Sequence, residues 1–253
     1  MQGGARAVDA VAFDLDDTLW RESDAQVFVM ERFHRLWAVK APLDAFLEVW
    51  RRASESLFDE YAAGRLSHSE QRRLRVRALL EAFSLPDEES AVDLWVERYV
   101  ELYRSRWRPV PGAAQVLERL HEMGVHLALV TNGDGAMQRA KLARMGLGDR
   151  FDGLLISAEV GAAKPDPRIF RRLIELCATT PERILVVGDR PDKDIEPARA
   201  MGLKALQIDH SGRASGADVV HDLDAVVDWV ARSRQGQGVG ARPTDVAGHG
   251  AGA

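Results

Sequence analysis

An α/β fold on a parallel sheet, interrupted early by a helical insertion, is what this chain of 253 residues predicts. Three observations carry that expectation. From residue 109 onward, short apolar runs alternate with amphipathic stretches, the pattern of βαβ units whose strands are covered on both faces. The first apolar run, Val11-Ala12-Phe13, stops abruptly in carboxylates two apart, Asp14 and Asp16. Between these parts, residues 21–107 show helical periodicity and no convincing strand.

The opening strand ends at Asp14, and if its conformation continues, Asp14 and Asp16 point into one small volume. In the insertion, Val27, Met30, Phe33 and Trp37 recur at helical spacing, as do Val92, Trp95, Tyr99 and Tyr103. Ser67 and Glu70 form a capping box that opens a helix running through Leu80. Arg72, Arg73, Arg75 and Arg77 lie on that helix and are expected to be a solvated face rather than a substrate-facing patch. Trp37, Trp50, Trp95 and Trp107 are expected in the core of the insertion, and Trp20 at its hinge. The later part then reads as helix 113–122 closed by Gly124, strand 125–130, helix 136–145 closed by Gly146, and strand 153–157. Helix 168–177, strand 183–187, helix 195–201 closed by Gly202, strand 204–208 and helix 224–232 complete it.

Residues 1–20 and 108–233 therefore form the α/β core, and residues 21–107 an inserted helical cap. Residues 234–253, rich in Gly with almost no bulky apolar side chains, read as a disordered tail. An insertion directly after the first strand sits over the carboxyl end of the sheet, where ligands bind in open α/β folds. It is expected to act as a lid.

Composition excludes several classes. The net charge of -5 argues against nucleic acid as a partner. Cys177 is the sole cysteine, which rules out a disulfide framework or thiolate metal site, and its neighbours Leu173, Ile174 and Leu176 make it a small buried hydrophobe. No apolar run approaches the ~20 residues that span a bilayer, and residues 1–10 hold no signal-peptide core. A cytoplasmic protein with no membrane partner, monomeric or homodimeric, is expected.

Each strand of the core reaches a chemically useful residue. The strand 125–130 runs into Thr131-Asn132-Gly133, a hydroxyl and consecutive N–H groups suited to an anion. Lys164 stands before Pro165 in a loop where Pro165 and Pro167 forbid a helix interior. The strand 183–187 ends in Gly188-Asp189-Arg190-Pro191-Asp192-Lys193-Asp194, whose acids are hard oxygen ligands of the kind Mg²⁺ prefers. Together, Asp14-x-Asp16-x-Thr18, Thr131, Lys164-Pro165 and Gly188-Asp189 through Asp194 resemble, in order and spacing, the motifs of the haloacid dehalogenase superfamily. The resemblance covers residues 8–230.

That resemblance implies a Mg²⁺-dependent phosphatase acting on a small-molecule phosphate ester. Asp14 would be the nucleophile that becomes an aspartyl-phosphate, and Asp16 the acid/base. Thr131, Asn132, Gly133 and Lys164 would hold phosphate oxygens, with Lys164 also neutralising Asp14. Asp14, the Asp16 backbone carbonyl, Asp189 and Asp194 would bind the metal, Asp194 through water or from a second layer. Asp192 matches no position of the family. Thr131-Asn132-Gly133 with Gln138, Lys141 and Gly146-Leu147, and Tyr61 to Ser67 with Glu70 and Arg73, look like the pyrimidine nucleotidase and N-acylneuraminate-9-phosphatase subgroup. A nucleoside monophosphate or a sugar phosphate is the implied substrate. A dehalogenase is disfavoured because Asp16 and the acidic fourth motif are present. A phosphomutase or a catalytically silent binding module are the remaining alternatives. His34, His68 and His121 lack metal-ligand spacing, and Asp134 reads as a helix N-cap.

Overall fold

The computed structural model describes residues 7–235. The expected tail, 234–253, lies outside them except for its first two residues. Six parallel strands form one sheet: β1 (Ala10–Phe13), β2 (His126–Thr131), β3 (Gly153–Ile156), β4 (Ile184–Gly188), β5 (Lys204–Ile208) and β6 (Val219–Val220). Their order is β3-β2-β1-β4-β5-β6, which places β1 inside the sheet with a neighbour on each edge. All four residues of β1 are buried, as the apolar run requires of a strand covered on both faces.

Register aligns the ends that matter. Phe13 pairs with Leu129 on one side and Val187 on the other, so Asp14 stands level with Val130 and Gly188. The Asp14 N–H donates to the Val187 carbonyl at 2.8 Å, which extends the pairing one residue past the strand. Thr131 and Asp189 emerge at the same edge, beside the point where the chain switches from one side of β1 to the other.

The inserted segment is four helices: α1 (Glu22–Leu36), α2 (Leu43–Ala62), α3 (His68–Ala82) and α4 (Glu89–Ser105). The Ser67–Glu70 capping box opens α3 as expected. Phe33, Trp37, Phe46, Phe83 and Trp95 meet with ring centroids 4.8–5.7 Å apart, in tilted and edge-on arrangements. The arginine run divides by helical phase. Arg73 and Arg77 turn outward to Glu89, while Arg72 and Arg75 line the cavity between the helices and the sheet. The expectation of a wholly solvated face is therefore corrected for Arg72 and Arg75, because positions 72 and 75 are one turn apart.

Two chain segments join this unit to the sheet and pair with each other. Trp20 bridges Pro109 antiparallel, and the Val110 N–H donates to the Leu19 carbonyl at 2.9 Å. Trp20 is fully buried and meets Tyr103 edge-on at 5.5 Å, so its role at the hinge is packing.

The remaining helices are α5 (Ala113–Glu122), α6 (Gly135–Met145), α7 (Ser157–Val160), α8 (Pro167–Cys177), α9 (Glu196–Ala200) and α10 (Asp224–Arg234). Most boundaries shift by a residue or so, and four differences are larger or of another kind. Ser157 starts the short α7 and does not end β3. The helix expected at 195–201 begins earlier, as a π turn over Pro191–Ile195 that runs into α9. The two-residue strand β6 was not anticipated, being too short for an alternation signal. Arg234, placed in the tail, closes α10 instead, its guanidinium donating to the Val8 and Met123 carbonyls. Cys177 is buried as expected. Among the described residues no helix is long and apolar enough to cross a membrane.

Phe46 has no exposed surface and joins three aromatic neighbours, His34 included. Phe46→Ala is expected to destabilise the protein by about 3–5 kcal/mol, read as a lower midpoint in urea unfolding. A midpoint equal to wild type would show that the aromatic cluster does not hold the helical unit together.

Candidate active site

Asp14, one residue beyond β1, is 7% exposed, and its Oδ1 accepts a hydrogen bond from Lys164 Nζ at 2.6 Å. The same ammonium donates to Asp194 Oδ1 at 2.6 Å. Asp189, just past β4, completes a group of three carboxylates with oxygens all within 4.8 Å of one another. Burial, then repulsion from Asp194 and Asp16, outweighs the pull of Lys164 and raises Asp14 to about 7. Burial, together with the negative charges of Asp14, Asp194 and Asp17, pushes Asp189 up to about 9. For Lys164, burial opposes the charge, but the two flanking carboxylates prevail and raise its pKa.

Local structure explains how Lys164 is held. Asn132 Nδ2 donates to the Lys164 carbonyl and its Oδ1 accepts from the Lys164 N–H, both at 2.8 Å. This amide clamps the lysine backbone from β2's own loop, across a cis Lys164–Pro165 peptide. Gly188 is needed for a different reason. A Cβ there would run into the Asp194 side chain, so only glycine lets that acid reach the cluster. Asp194 also accepts the Arg190 N–H at 3.1 Å.

Asp16 is not part of the carboxylate group. Its carboxylate accepts from Lys141 Nζ at 2.6 Å, Trp20 Nε1 at 2.5 Å and Gln138 Nε2 at 3.0 Å. Burial alone would raise its pKa. The charge and hydrogen bond of Lys141, with Gln138 and Trp20, reverse that and lower it. The resemblance assigns the metal to the Asp16 backbone carbonyl and not to this carboxylate. Asp14 and Asp16 nevertheless face one cavity of about 160 Å³, together with Thr131, Lys164, Asp189 and Asp194.

The loop after β2 has its own internal partners. The Asn132 side chain holds Lys164, and the Gly133 N–H donates to Ser157 Oγ at 2.9 Å. The Gly133 N–H is thus taken up within the loop cluster, whereas the Asn132 bonds involve its side chain and not the backbone N–H expected to meet phosphate. Thr131 Oγ1 lines the cavity and accepts from Gln138 Nε2 at 2.7 Å. Asp192 pairs with Arg190 at 2.9 Å. Asp134 caps α6 through the Met137 N–H at 2.9 Å, as expected. Asp17, for which the sequence suggested no role, takes the Ser23 N–H at 2.9 Å in the first turn of α1.

Sequence reasoning missed the role of Gln138 and Lys141, which it had noted only as a signature. Both are buried on α6, three residues apart and therefore on one face. A lysine and a glutamine on an otherwise core-facing stripe were the available signal. Lys141 also lies 5.0 Å from the Trp20 ring centroid and 5.5 Å from that of Tyr103. Tyr103 donates to Glu22 at 2.6 Å, and burial with the nearby Asp16 raises Glu22 to about 7.

A second cavity of about 420 Å³ adjoins the first beneath the helical unit. Asp16, Glu22, Phe58, Asn132 and Lys193 wall both. The helices approach the sheet edge through His68 and Asp134, 3.8 Å apart, and Lys193 and Asp59, 4.0 Å apart.

A family model for haloacid dehalogenase-like hydrolases matches residues 8–202. A phosphoserine phosphatase of Thermus thermophilus is 33% identical, over 83% of this chain and 92% of that protein. A pyrimidine 5'-nucleotidase of Escherichia coli is 29% identical, over 74% of this chain and 80% of its own length. The crystal structure of a HAD-hydrolase from Bacillus subtilis, YfnB, superposes with a TM-score of 0.70 at 19% identity, covering 89% of this chain and 99% of that one. Sheet order, acidic edge and family match agree: this chain belongs to the haloacid dehalogenase-like hydrolases.

Proposed function

We propose that the protein is a Mg²⁺-dependent phosphatase that hydrolyses a small-molecule phosphate monoester through an aspartyl-phosphate on Asp14. One observation carries this reading. Lys164 bridges Asp14 and Asp194, yet this one ammonium faces three clustered carboxylates and leaves the group short of positive charge. A hard divalent cation fits that donor set. Asp14, Asp189 and Asp194 would hold it with their carboxylates and Asp16 with its backbone carbonyl. When bound, it would offset the repulsion between the Asp14 carboxylate and a phosphate dianion.

The side chains divide the remaining work. Asp14 attacks phosphorus, the ester P–O bond breaks, and the departing alkoxide takes a proton from Asp16. Water then attacks the phosphoryl group with its proton passing to Asp16, which frees Asp14 and inorganic phosphate. Lys164 and the Thr131 hydroxyl hold phosphoryl oxygens as charge redistributes. The donors around Asp16 favour its carboxylate, ready to take the proton of the attacking water, and a bound cation would likewise favour the Asp14 carboxylate that attacks phosphorus. The adjoining cavity of about 420 Å³ suits a sugar phosphate or a nucleoside monophosphate, the classes the subgroup resemblance implies.

Three measurements test this reading. Mg²⁺ at a hundredfold excess over its Kd is expected to stabilise the fold by about 2.7 kcal/mol, seen as a higher Tm. Asp189→Asn should abolish that rise, and an equal rise in both proteins would place the metal elsewhere. Phosphate release from a panel of sugar phosphates and nucleotides should require Mg²⁺ and vanish in Asp14→Asn. Release that persists in EDTA or in the variant would reject the mechanism. Finally, Asp16→Ala should lose about 10²–10⁴-fold on alkyl phosphates and less on para-nitrophenyl phosphate, whose leaving group needs no proton. Equal losses on both would remove the acid/base role.

A further inference from the structure

Arg72 and Arg75 give the larger cavity a charge pattern that binding a single phosphate leaves unexplained. Three residues apart on α3, they project from one face into the space above the site. Each guanidinium has a buried Nε with no hydrogen-bond partner. Arg72 Nη2 meets His68 Nε2 at 3.1 Å, and Arg75 Nη1 meets Ser54 Oγ at 3.3 Å. Neither forms an ion pair with a carboxylate among the described residues. By contrast, Arg51, Arg73, Arg77 and Arg190 all do.

The acids that line the same cavity are engaged by other groups. Glu55 takes Arg51, and Asp134 caps α6. Glu22 accepts from Tyr103 and from Gln26, and Asp16 is held by Lys141. Arg75 is fixed in place by the rings of Trp50 and Tyr99, whose centroids lie 5.0 and 5.7 Å from its Cζ. It covers that aromatic surface, and Trp50 and Tyr99 are themselves buried. Two half-buried, uncompensated guanidiniums side by side repel each other, and desolvation, with Arg75 among the lesser causes, depresses Arg72. An anion held by the Nη groups on the cavity side would offset the repulsion between the two cations.

We propose that Arg72 and Arg75 form an anion subsite, and that the natural substrate carries a second anionic group, a carboxylate or a second phosphate, on its alcohol portion. This rests on the phosphatase reading and narrows its substrate class. The planar guanidinium fork matches either anion. The cavity is continuous with the phosphate site through walls shared at Asp16, Phe58 and Lys193, so one small molecule can reach both ends.

Matched ester pairs test the subsite: glycerol 3-phosphate against 3-phosphoglycerate, and fructose 1-phosphate against fructose 1,6-bisphosphate. The member with the second anion is expected to have a kcat/KM roughly 10- to 100-fold higher, the range of a charge-assisted hydrogen bond. Which pair shows the larger ratio separates a carboxylate from a phosphate. The ratio should collapse in the Arg72→Gln, Arg75→Gln double variant and return in part with Arg75→Lys at otherwise native residues. Hydrolysis of para-nitrophenyl phosphate, which has no second anion, reports separately on fold and chemistry. Equal kcat/KM within both pairs, or a double variant that loses both members of a pair in proportion, overturns the subsite and leaves the phosphatase reading intact. If no ester is hydrolysed, the phosphatase reading fails, and calorimetric affinities of the same pairs for the wild-type protein decide the subsite. Equal affinities would overturn it, and tighter binding of the doubly anionic member that weakens in the double variant would uphold it.

Discussion

The bridge from Lys164 to Asp14 and Asp194 is the interaction on which the rest of the site depends. All three side chains are buried, and a buried carboxylate without a partner is costly enough that it normally gives up its charge. Lys164 lies 150 residues from Asp14 and 30 from Asp194. Only the sheet brings them together, because β1, β3 and β4 end at one edge. Asn132 then fixes the lysine backbone, and Gly188 leaves space for Asp194. Each of these features makes sense as support for one ammonium among three acids.

A second buried lysine organises the opposite wall. Lys141 holds Asp16 and lies over Trp20 and Tyr103, so one cation contacts both the reactive loop and the hinge of the helical unit. The two aspartates of Asp-x-Asp thus belong to different lysines. Burial raises Asp14, while Lys141 overcomes the same burial effect at Asp16. Each carboxylate has a lysine partner far along the chain, 150 and 125 residues away, but only at Asp16 does the lysine outweigh burial.

The helical unit contributes more than cover. Its aromatic cluster makes it a stable body, and its hinge pairing at Trp20 and Pro109 fixes where it stands. From that position α2 supplies Phe58 to the reactive cavity and α3 supplies Arg72 and Arg75 to the space above it. The sheet edge therefore supplies the acids and Lys164, while the insertion supplies Phe58 and the two arginines that face the same space.

The sequence by itself determined the parallel architecture, the place of the insertion, and that Asp14, Lys164, Asp189 and Asp194 stand at the strand ends where they meet. Those are local signals: apolar runs of strand length, a capping box at Ser67, and polar residues stationed at strand ends. Asn132 and Gly133 stood in a loop of the right kind, but their hydrogen bonds go to Lys164 and Ser157, which lie 32 and 24 residues on. Arg72 and Arg75 could not be told from Arg73 and Arg77, since residue type is identical and only helical phase against a packed neighbour separates them. Lys141 was legible as part of a family signature, but its contacts with Asp16 and the hinge exist only once α6 is set against them. Periodicity reports which residues face inward. Which inward-facing charges meet is decided by the tertiary structure, because such pairs join positions far apart in the chain and exist only once the sheet and its insertion are packed.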